Sequence, residues 1–344
     1  MRAAVLKAPG LMETEDYPDP EAPRGGALLE IISCAVCGTD IKMLASGHRD
    51  LHLPRILGHE MVGRIIEIDE GSSLAEGDRV QIWPGIACGG CRACLKQKDN
   101  LCSEIKIMGF NSDGGFAQLL ALPEQSLSGG VSLLPSGADS CIAALAEPLA
   151  CCINGQEQAA VRRTDRVLIC GGGPIGALHA LLAECRGCEK ITVTERIPHR
   201  ISLLRAHTRA NVLDLSEEPG RAALIEEIGE DGVDVILTAT PEARLDRDLF
   251  KFLSPGGRIC IFSGPAPGSR REEVDFASIH YHELSITGAY GCTSRQNRQA
   301  VELLASGRIK ADWLITMKTN LEGINDAFSH SGERRGMKSV VCVS

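Results

Sequence analysis

The sequence predicts an α/β protein of two regions, a β-rich body followed by a doubly wound parallel sheet flanked by helices, and three observations carry that prediction. Short apolar segments punctuated by Gly, Pro and Asp fill residues 1 to 147 with little helical periodicity, the pattern of a sheet or barrel with long loops. From residue 148 strands alternate with helices, which is the grammar of a parallel sheet. A glycine-rich turn joins the first strand of that second region to its first helix. With 344 residues there is room for two domains, each with its own core.

In chain order, Met1 to Lys7 reads as an opening strand, and Ala27 to Ile32, Met61 to Ile68, Arg79 to Trp83 and Gln118 to Leu122 as further strands. Gly77-Asp78 and Gly114-Gly115 supply turns before two of them. The second region opens on Arg166 to Cys170, apolar after its first residue as expected of a strand buried on both faces. It continues with a helix over Gly176 to Arg186, a strand over Lys190 to Thr194, a helix over Ile197 to His207, and strands over Val233 to Ala239 and Gly257 to Phe262. The tail reads as a helix (Arg295 to Ser306), a strand (Trp313 to Met317), a helix (Leu321 to His330) and a last strand (Lys338 to Val343) that rejoin the first body.

Composition excludes several functions. A net charge of −9, with Lys and Arg scattered among acids, leaves no basic face for nucleic acid or anionic lipid. No apolar run approaches the ~18 to 20 residues that cross a bilayer. The N-terminus lacks the apolar core of a secretory signal, so a cytoplasmic location is expected. In a reducing compartment the fifteen cysteines are free thiols or metal ligands.

Three stretches carry chemistry. Cys37 lies in Cys-Gly-Thr-Asp, and His59-Glu60 close Leu-Gly-His-Glu just before the apolar run from Met61; a thiol, an imidazole and a carboxylate are side chains that hold zinc while leaving a position open. A Cys and a His 22 residues apart can equally be a packed thiol and a hydrogen-bonded ring. Cys88, Cys91, Cys94 and Cys102 fall within fifteen residues among bending glycines, a set able to close a tetrahedral zinc shell, with an iron–sulfur cluster or a redox dithiol as alternatives. Gly171, Gly173, Pro174, Ile175 and Gly176 follow the strand Arg166 to Cys170 and open a helix, the arrangement in which backbone N–H groups cradle a pyrophosphate. Glu195 ends the next strand nineteen residues after Gly176, where a carboxylate accepts from ribose hydroxyls and repels a 2′-phosphate. NAD is therefore favoured over NADP. Arg196 and Arg200 could serve such a phosphate, and otherwise read as solvated charges at a helix start.

Cys37, Gly58-His59-Glu60, the tetrad and the fingerprint, in that order, resemble the zinc-dependent medium-chain dehydrogenases over essentially the whole chain. Ala146-Glu147-Pro148, with a glutamate where classical alcohol dehydrogenases place a cysteine, resembles the polyol (sorbitol-type) and threonine dehydrogenase branch. The resemblance implies a GroES-like β-barrel catalytic domain from residues 1–147 and 292–344, beside a Rossmann coenzyme domain from 148–291. It implies two zinc ions per chain, a structural one on the tetrad and a catalytic one on Cys37, His59 and Glu60, with Glu147 as alternative or exchanging ligand or bound through water. Read by itself, Glu147 is a helix-start acid favoured by the helix dipole. Thr39 matches the hydroxyl that takes the substrate proton, although it and Asp40 can be ordinary turn or cap residues. A small-molecule secondary alcohol, a polyol or sugar derivative, is the implied substrate, and a homodimer or homotetramer the implied assembly.

Two positions depart from the branch. Lys42 stands where a histidine is usual, which leaves proton export to Lys42, His48, the ribose or water and argues against threonine. Ile286 to Cys292 lacks the Arg-Tyr pair of animal sorbitol dehydrogenases; Tyr290 there reads as closing a buried strand or lining the cleft. The competing expectations are a threonine-type dehydrogenase and a regulatory or structural protein that retains the fold.

Overall fold

The computed structural model describes residues 1–69, 72–240, 247–264 and 274–344. The chain forms two compact units, Met1–Ala150 with Cys292–Ser344, and Cys151–Gly291. The first division falls three residues after the change in composition, inside the helix Ala146–Gln158, because that helix runs unbroken from one unit into the other.

In the first unit the strand Ala27–Ala35 is the hub. It pairs antiparallel with Glu60–Ile68, with Lys338–Cys342 and with Leu119–Leu122. The sheet runs in the order Val131–Leu133, Arg79–Ile82, Glu60–Ile68, Ala27–Ala35, Lys338–Cys342, Ile315–Thr319. The tail thus closes the body it was expected to rejoin. Period-two patterning sets which faces turn inward: Ala27, Leu29 and Ile31 are fully buried while Leu28, Glu30 and Ile32 are partly exposed. With Phe116, Met61, Ile65 and Phe328 they form one core, each large side chain contributing roughly 1.5–3 kcal/mol by leaving water. Register then places the chemistry. Ala35 lies opposite Glu60 on one side and Val340 on the other, so the start of one strand, the end of the hub and the start of the last strand meet at one place.

The second unit has strand order Asn211–Asp214, Lys190–Glu195, Arg166–Cys170, Val233–Thr238, Leu253–Ile261, Ser285–Gly288, all parallel. Numbered along the chain this is 3-2-1-4-5-6, the order whose switch point beside the first strand binds dinucleotides. Helices Pro174–Arg186 and Pro198–His207 connect its first strands.

Several boundaries differ from expectation for physical reasons. Gly38–Ser46 is a helix that the sequence hid, because its cap is a cysteine rather than a hydroxyl or carboxylate side chain. Trp313 sits in a short 3-10 turn, Asp312–Leu314, and the strand begins only at Ile315. Tyr290 closes no buried strand: Ser285–Gly288 is the sheet edge and Tyr290 is half exposed. No described helix is long and apolar enough to cross a membrane.

Candidate metal centres and cofactor loop

Cys37 caps the helix Gly38–Ser46, its sulfur accepting from the N–H of Thr39. Asp40 completes a capping box by accepting from the N–H of Cys37 at 2.9 Å. Its other oxygen faces Nδ1 of His59 at 3.2 Å. Both atoms are buried and have no other hydrogen-bond partner among the described residues, which leaves Nε2 as the ring nitrogen available to a cation. Gly58 must be glycine, since φ is +96° and a Cβ would lie 2.7 Å from Sγ of Cys34. That tight turn delivers His59 and then Glu60, the first residue of its strand.

The sulfur of Cys37, a ring nitrogen of His59 and a carboxylate oxygen of Glu60 all lie within 4.8 Å of one another. His59 and Glu60 are buried. Burial disfavours a charged His59, yet Asp40 and Cys37 outweigh it and hold the ring well above its ordinary pKa. His179 in the second unit shows the opposite case: edge-on to Phe262 and fully buried, it is pushed down to about 3 by burial first and by the Arg186 cation second. Asp40 and Cys37 thus face His59 with groups that favour a positive charge, and the donor set of Cys37, His59 and Glu60 fits a divalent cation.

Glu60 has a partner that sequence reasoning missed. Lys338 opens the last strand, is itself buried, and its ammonium donates to both oxygens of Glu60 and to the carbonyl of Val36 at 3.0 Å. Burial pushes Glu60 up, Lys338 draws it back, and Glu147 adds to the upward push, for a net rise. Glu147 is buried in the first turn of its helix but does not belong to the donor set of Cys37, His59 and Glu60. The ring of Phe110, also missed, lies edge-on to His59 at 5.3 Å, and His48 lies edge-on to the same phenyl at 5.4 Å. His48 accepts from the N–H of Asp50, and among the described residues the Phe110 ring is what it shares with His59. Thr39 is half-buried two residues after Cys37, in the first turn of the same helix, and Lys42 is exposed.

The tetrad is assembled locally. Cys91 caps the short helix Arg92–Leu95 that carries Cys94, and a 3-10 turn, Asp99–Leu101, delivers Cys102. All four sulfurs lie within 4.8 Å of one another, with the pairs Cys91/Cys94 and Cys88/Cys102 at 3.5 Å. Sulfurs ~2.3 Å from a tetrahedral ion are ~3.8 Å apart, so this spacing fits a single zinc rather than a cluster of irons. Backbone N–H groups of Cys91, Cys88 and Glu104 point at the sulfurs, as thiolates require. Amide donors lower Cys91 to about 6, while burial and its thiol neighbours raise Cys94 to about 12.

In the second unit Gly171 has φ +104°, and a Cβ on Gly176 would meet the carbonyl oxygen of Gly171 at 1.8 Å. The turn and the close packing of helix on strand therefore both need glycine. Gly173 caps the helix, with Pro174 and Ile175 in its first turn. Glu195 accepts from the N–H of Gly172 at 3.1 Å, and from those of Arg196 at 2.6 Å and Ile197 at 3.0 Å. Arg196 is exposed, as expected of a solvated charge. Arg200 is not: it is buried, and its guanidinium lies 3.2 Å from where a Cβ of Gly173 would be. It folds back onto the cradle because it sits on the inward face of Pro198–His207, beside buried Ile201 and Leu204.

Residues 23–132 match the alcohol dehydrogenase GroES-like domain and residues 174–306 the zinc-binding dehydrogenase domain. L-galactonate-5-dehydrogenase of Escherichia coli K12 is 30% identical over 294 residues, 84% of this chain and 83% of that one. L-threonine 3-dehydrogenase of Mesorhizobium japonicum is 30% identical over 337 residues, 95% of each chain. A structure from Sinorhizobium meliloti 1021, assigned as a zinc-binding dehydrogenase and bound to NADP, superposes with a TM-score of 0.88 at 26% identity, covering 99% of this chain and 98% of that one. With both family domains matched and relatives at 30% identity over most of the chain, the chain belongs to the zinc-dependent medium-chain dehydrogenase family as an oxidoreductase acting on alcohols.

Proposed function

We propose that this enzyme oxidises a secondary hydroxyl of a polyol, sugar alcohol or related sugar derivative with NAD, using one zinc at Cys37, His59 and Glu60 and a second at the cysteine tetrad. The observation that carries the reading is the convergence of those three unlike donors within 4.8 Å in a buried, acid-rich pocket. A zinc ion there would supply Lewis acidity that makes a hydroxyl group acidic near neutral pH, and the nicotinamide the acceptor for hydride.

The chain's own groups do the rest. Asp40 fixes the His59 ring through Nδ1, so that its tautomer and direction are set before substrate arrives. Phe110 covers the ring edge and keeps water from it. Thr39, held in the first turn beside Cys37, takes the departing hydroxyl proton and passes it outward to solvent. Gly171, Gly173 and the amide-bound carboxylate of Glu195 shape the phosphate turn, and the charge of Glu195 supports NAD over NADP. Arg200 against the same turn supports a phosphate contact at the cradle itself. A cytoplasmic homodimer or homotetramer without nucleic-acid or membrane partners accords with the net charge of −9 and with the family's usual assembly.

The test is zinc content together with NADH formation over a panel of sugar alcohols, their phosphates, inositols, aldonates including L-galactonate, and L-threonine. Two zinc ions per chain and NAD-linked turnover of a polyol or aldonate are expected. Turnover of threonine alone, or preference for NADP, would overturn the corresponding part of the reading.

A further inference from the structure

We propose that Cys141 and Cys342 form a redox-modification site, a thiol pair that a low-molecular-weight disulfide such as oxidised glutathione converts to a reversible intrachain disulfide. The proposal is independent of the zinc and coenzyme readings, since neither residue belongs to the two candidate zinc centres or to the phosphate turn. The two sulfurs lie 3.8 Å apart although 201 positions separate them in sequence. A disulfide bond is ~2.05 Å long, so about 1.8 Å of sulfur travel separates the contact from the bond, a movement that rotation about the two Cα–Cβ bonds supplies.

Three contacts within the first unit bring the pair together. Cys342 ends the last strand opposite Ser33 of the hub. The hydroxyl of Ser33 donates to the carbonyl of Ser140 at 2.9 Å, which sets the short helix Ser140–Ala143 beside that strand end. Asp139 caps this helix, accepting from the N–H groups of Cys141 at 2.7 Å and Ile142 at 3.1 Å, and Arg79 holds the approach by donating to the carbonyl of Ala138 at 3.0 Å. Both backbones are thus fixed while both sulfurs are free thiols.

Exposure divides the labour between them. Cys342 is partly exposed and is the sulfur that a dissolved oxidant reaches. Cys141 is buried, and burial first and the neighbouring Cys342 second hold its thiol up at about 11, against the pull of Lys318. Lys318 pairs with Val340, two residues before Cys342 and so on the same face. The Cys342 thiolate attacks one sulfur of the oxidant, forming a mixed disulfide and expelling one glutathione thiolate. Cys141 then gives its proton to solvent and attacks the Cys342 sulfur; the protein's S–S bond forms, the mixed bond breaks and the second glutathione thiolate leaves. The two thiols lose two electrons, and one oxidant molecule is reduced to two thiols. In a reducing compartment such a link is transient and follows the redox state instead of bracing the fold permanently.

The test exposes the zinc-loaded protein to excess oxidised glutathione, alkylates the remaining thiols and maps tryptic fragments by tandem mass spectrometry; Cys342 falls in the short fragment that follows Lys338. A Cys141–Cys342 cross-link that dithiothreitol removes is expected. Closing so long a loop restricts the unfolded chain, so the thermal midpoint should rise by about 5 °C on oxidation and fall back on reduction. In C141S, oxidation should stop at a glutathione adduct on Cys342, because the resolving thiol is gone; C141A serves if the buried serine folds poorly. C342S should leave Cys141 alkylated and the midpoint unmoved by oxidant. Alkylation of both residues in oxidised wild type, a stable glutathione adduct on its Cys342, or a link from Cys342 to a different cysteine overturns the proposal.

Discussion

The two cysteine-bearing centres of the first unit are built in opposite ways. The tetrad draws four identical donors from residues 88–102, grades from exposed Cys88 to buried Cys102, and is organised by one short helix, one 3-10 turn and local amides. The other centre draws three unlike donors from a helix cap and a strand start, is mostly buried, and borrows partners from elsewhere, Asp40 from the capping box and Lys338 from the far end of the chain. A closed shell of four thiolates has nothing left for substrate and returns its binding energy as local order. The mixed set offers only three donors, and one of them is already paired with a buried ammonium. The difference teaches that a metal site's chemistry is read from what surrounds its ligands as much as from the ligands.

The largest effect that would break this contrast belongs to Cys37. C37S should lower NADH formation by on the order of 10³-fold or more, about 4 kcal/mol of barrier, while the thermal midpoint and NADH binding change little. Turnover within ten-fold of wild type would remove Cys37 from the reaction. The converse is expected of the tetrad. C102S should lose one zinc per chain and several kcal/mol of local stability, seen as faster proteolysis within 88–102, yet keep most of its turnover per folded molecule. If C102S instead abolished activity while staying folded and protease-resistant, the division between stiffening and reacting centres would be wrong.

This contrast also explains what was legible in the sequence. The tetrad could be read from spacing because all of its geometry is local. The strand Arg166–Cys170 could be read to the residue because burial on both faces leaves an apolar run between a charged start and a glycine turn. Cys37, His59 and Glu60 could be named, but their meeting depends on the register of Ala35 with two other strands, and register is a tertiary property. Lys338 was invisible for that reason, since a lysine opening Lys-Ser-Val-Val-Cys reads equally as an exposed strand-start charge. Arg200 was misjudged because a helix start does not reveal which way a long side chain folds; its neighbours Ile201 and Leu204, both buried, mark that face as the inner one.

Glu195 sharpens the comparison at its gentle end, since it is the locally organised carboxylate on which the proposed coenzyme preference rests. Three backbone amides already occupy it, out of about four lone-pair sites on a carboxylate, so it holds the fingerprint turn and has roughly one site left for a ribose hydroxyl. Two contributions are therefore mixed in it, loop order and charge, and two substitutions separate them. E195Q keeps one acceptor oxygen, enough for the N–H groups of Arg196 and Ile197 but not also that of Gly172, and removes the charge that repels a 2′-phosphate; the ratio of kcat/KM for NAD over NADP should fall about ten-fold, about 1.4 kcal/mol, chiefly through improved use of NADP. E195A removes the acceptor as well, so KM should rise for both coenzymes in addition to the narrowed ratio. An unchanged ratio in E195Q would leave Glu195 as a turn-holding residue only, and would move the choice of coenzyme to Arg196 and Arg200.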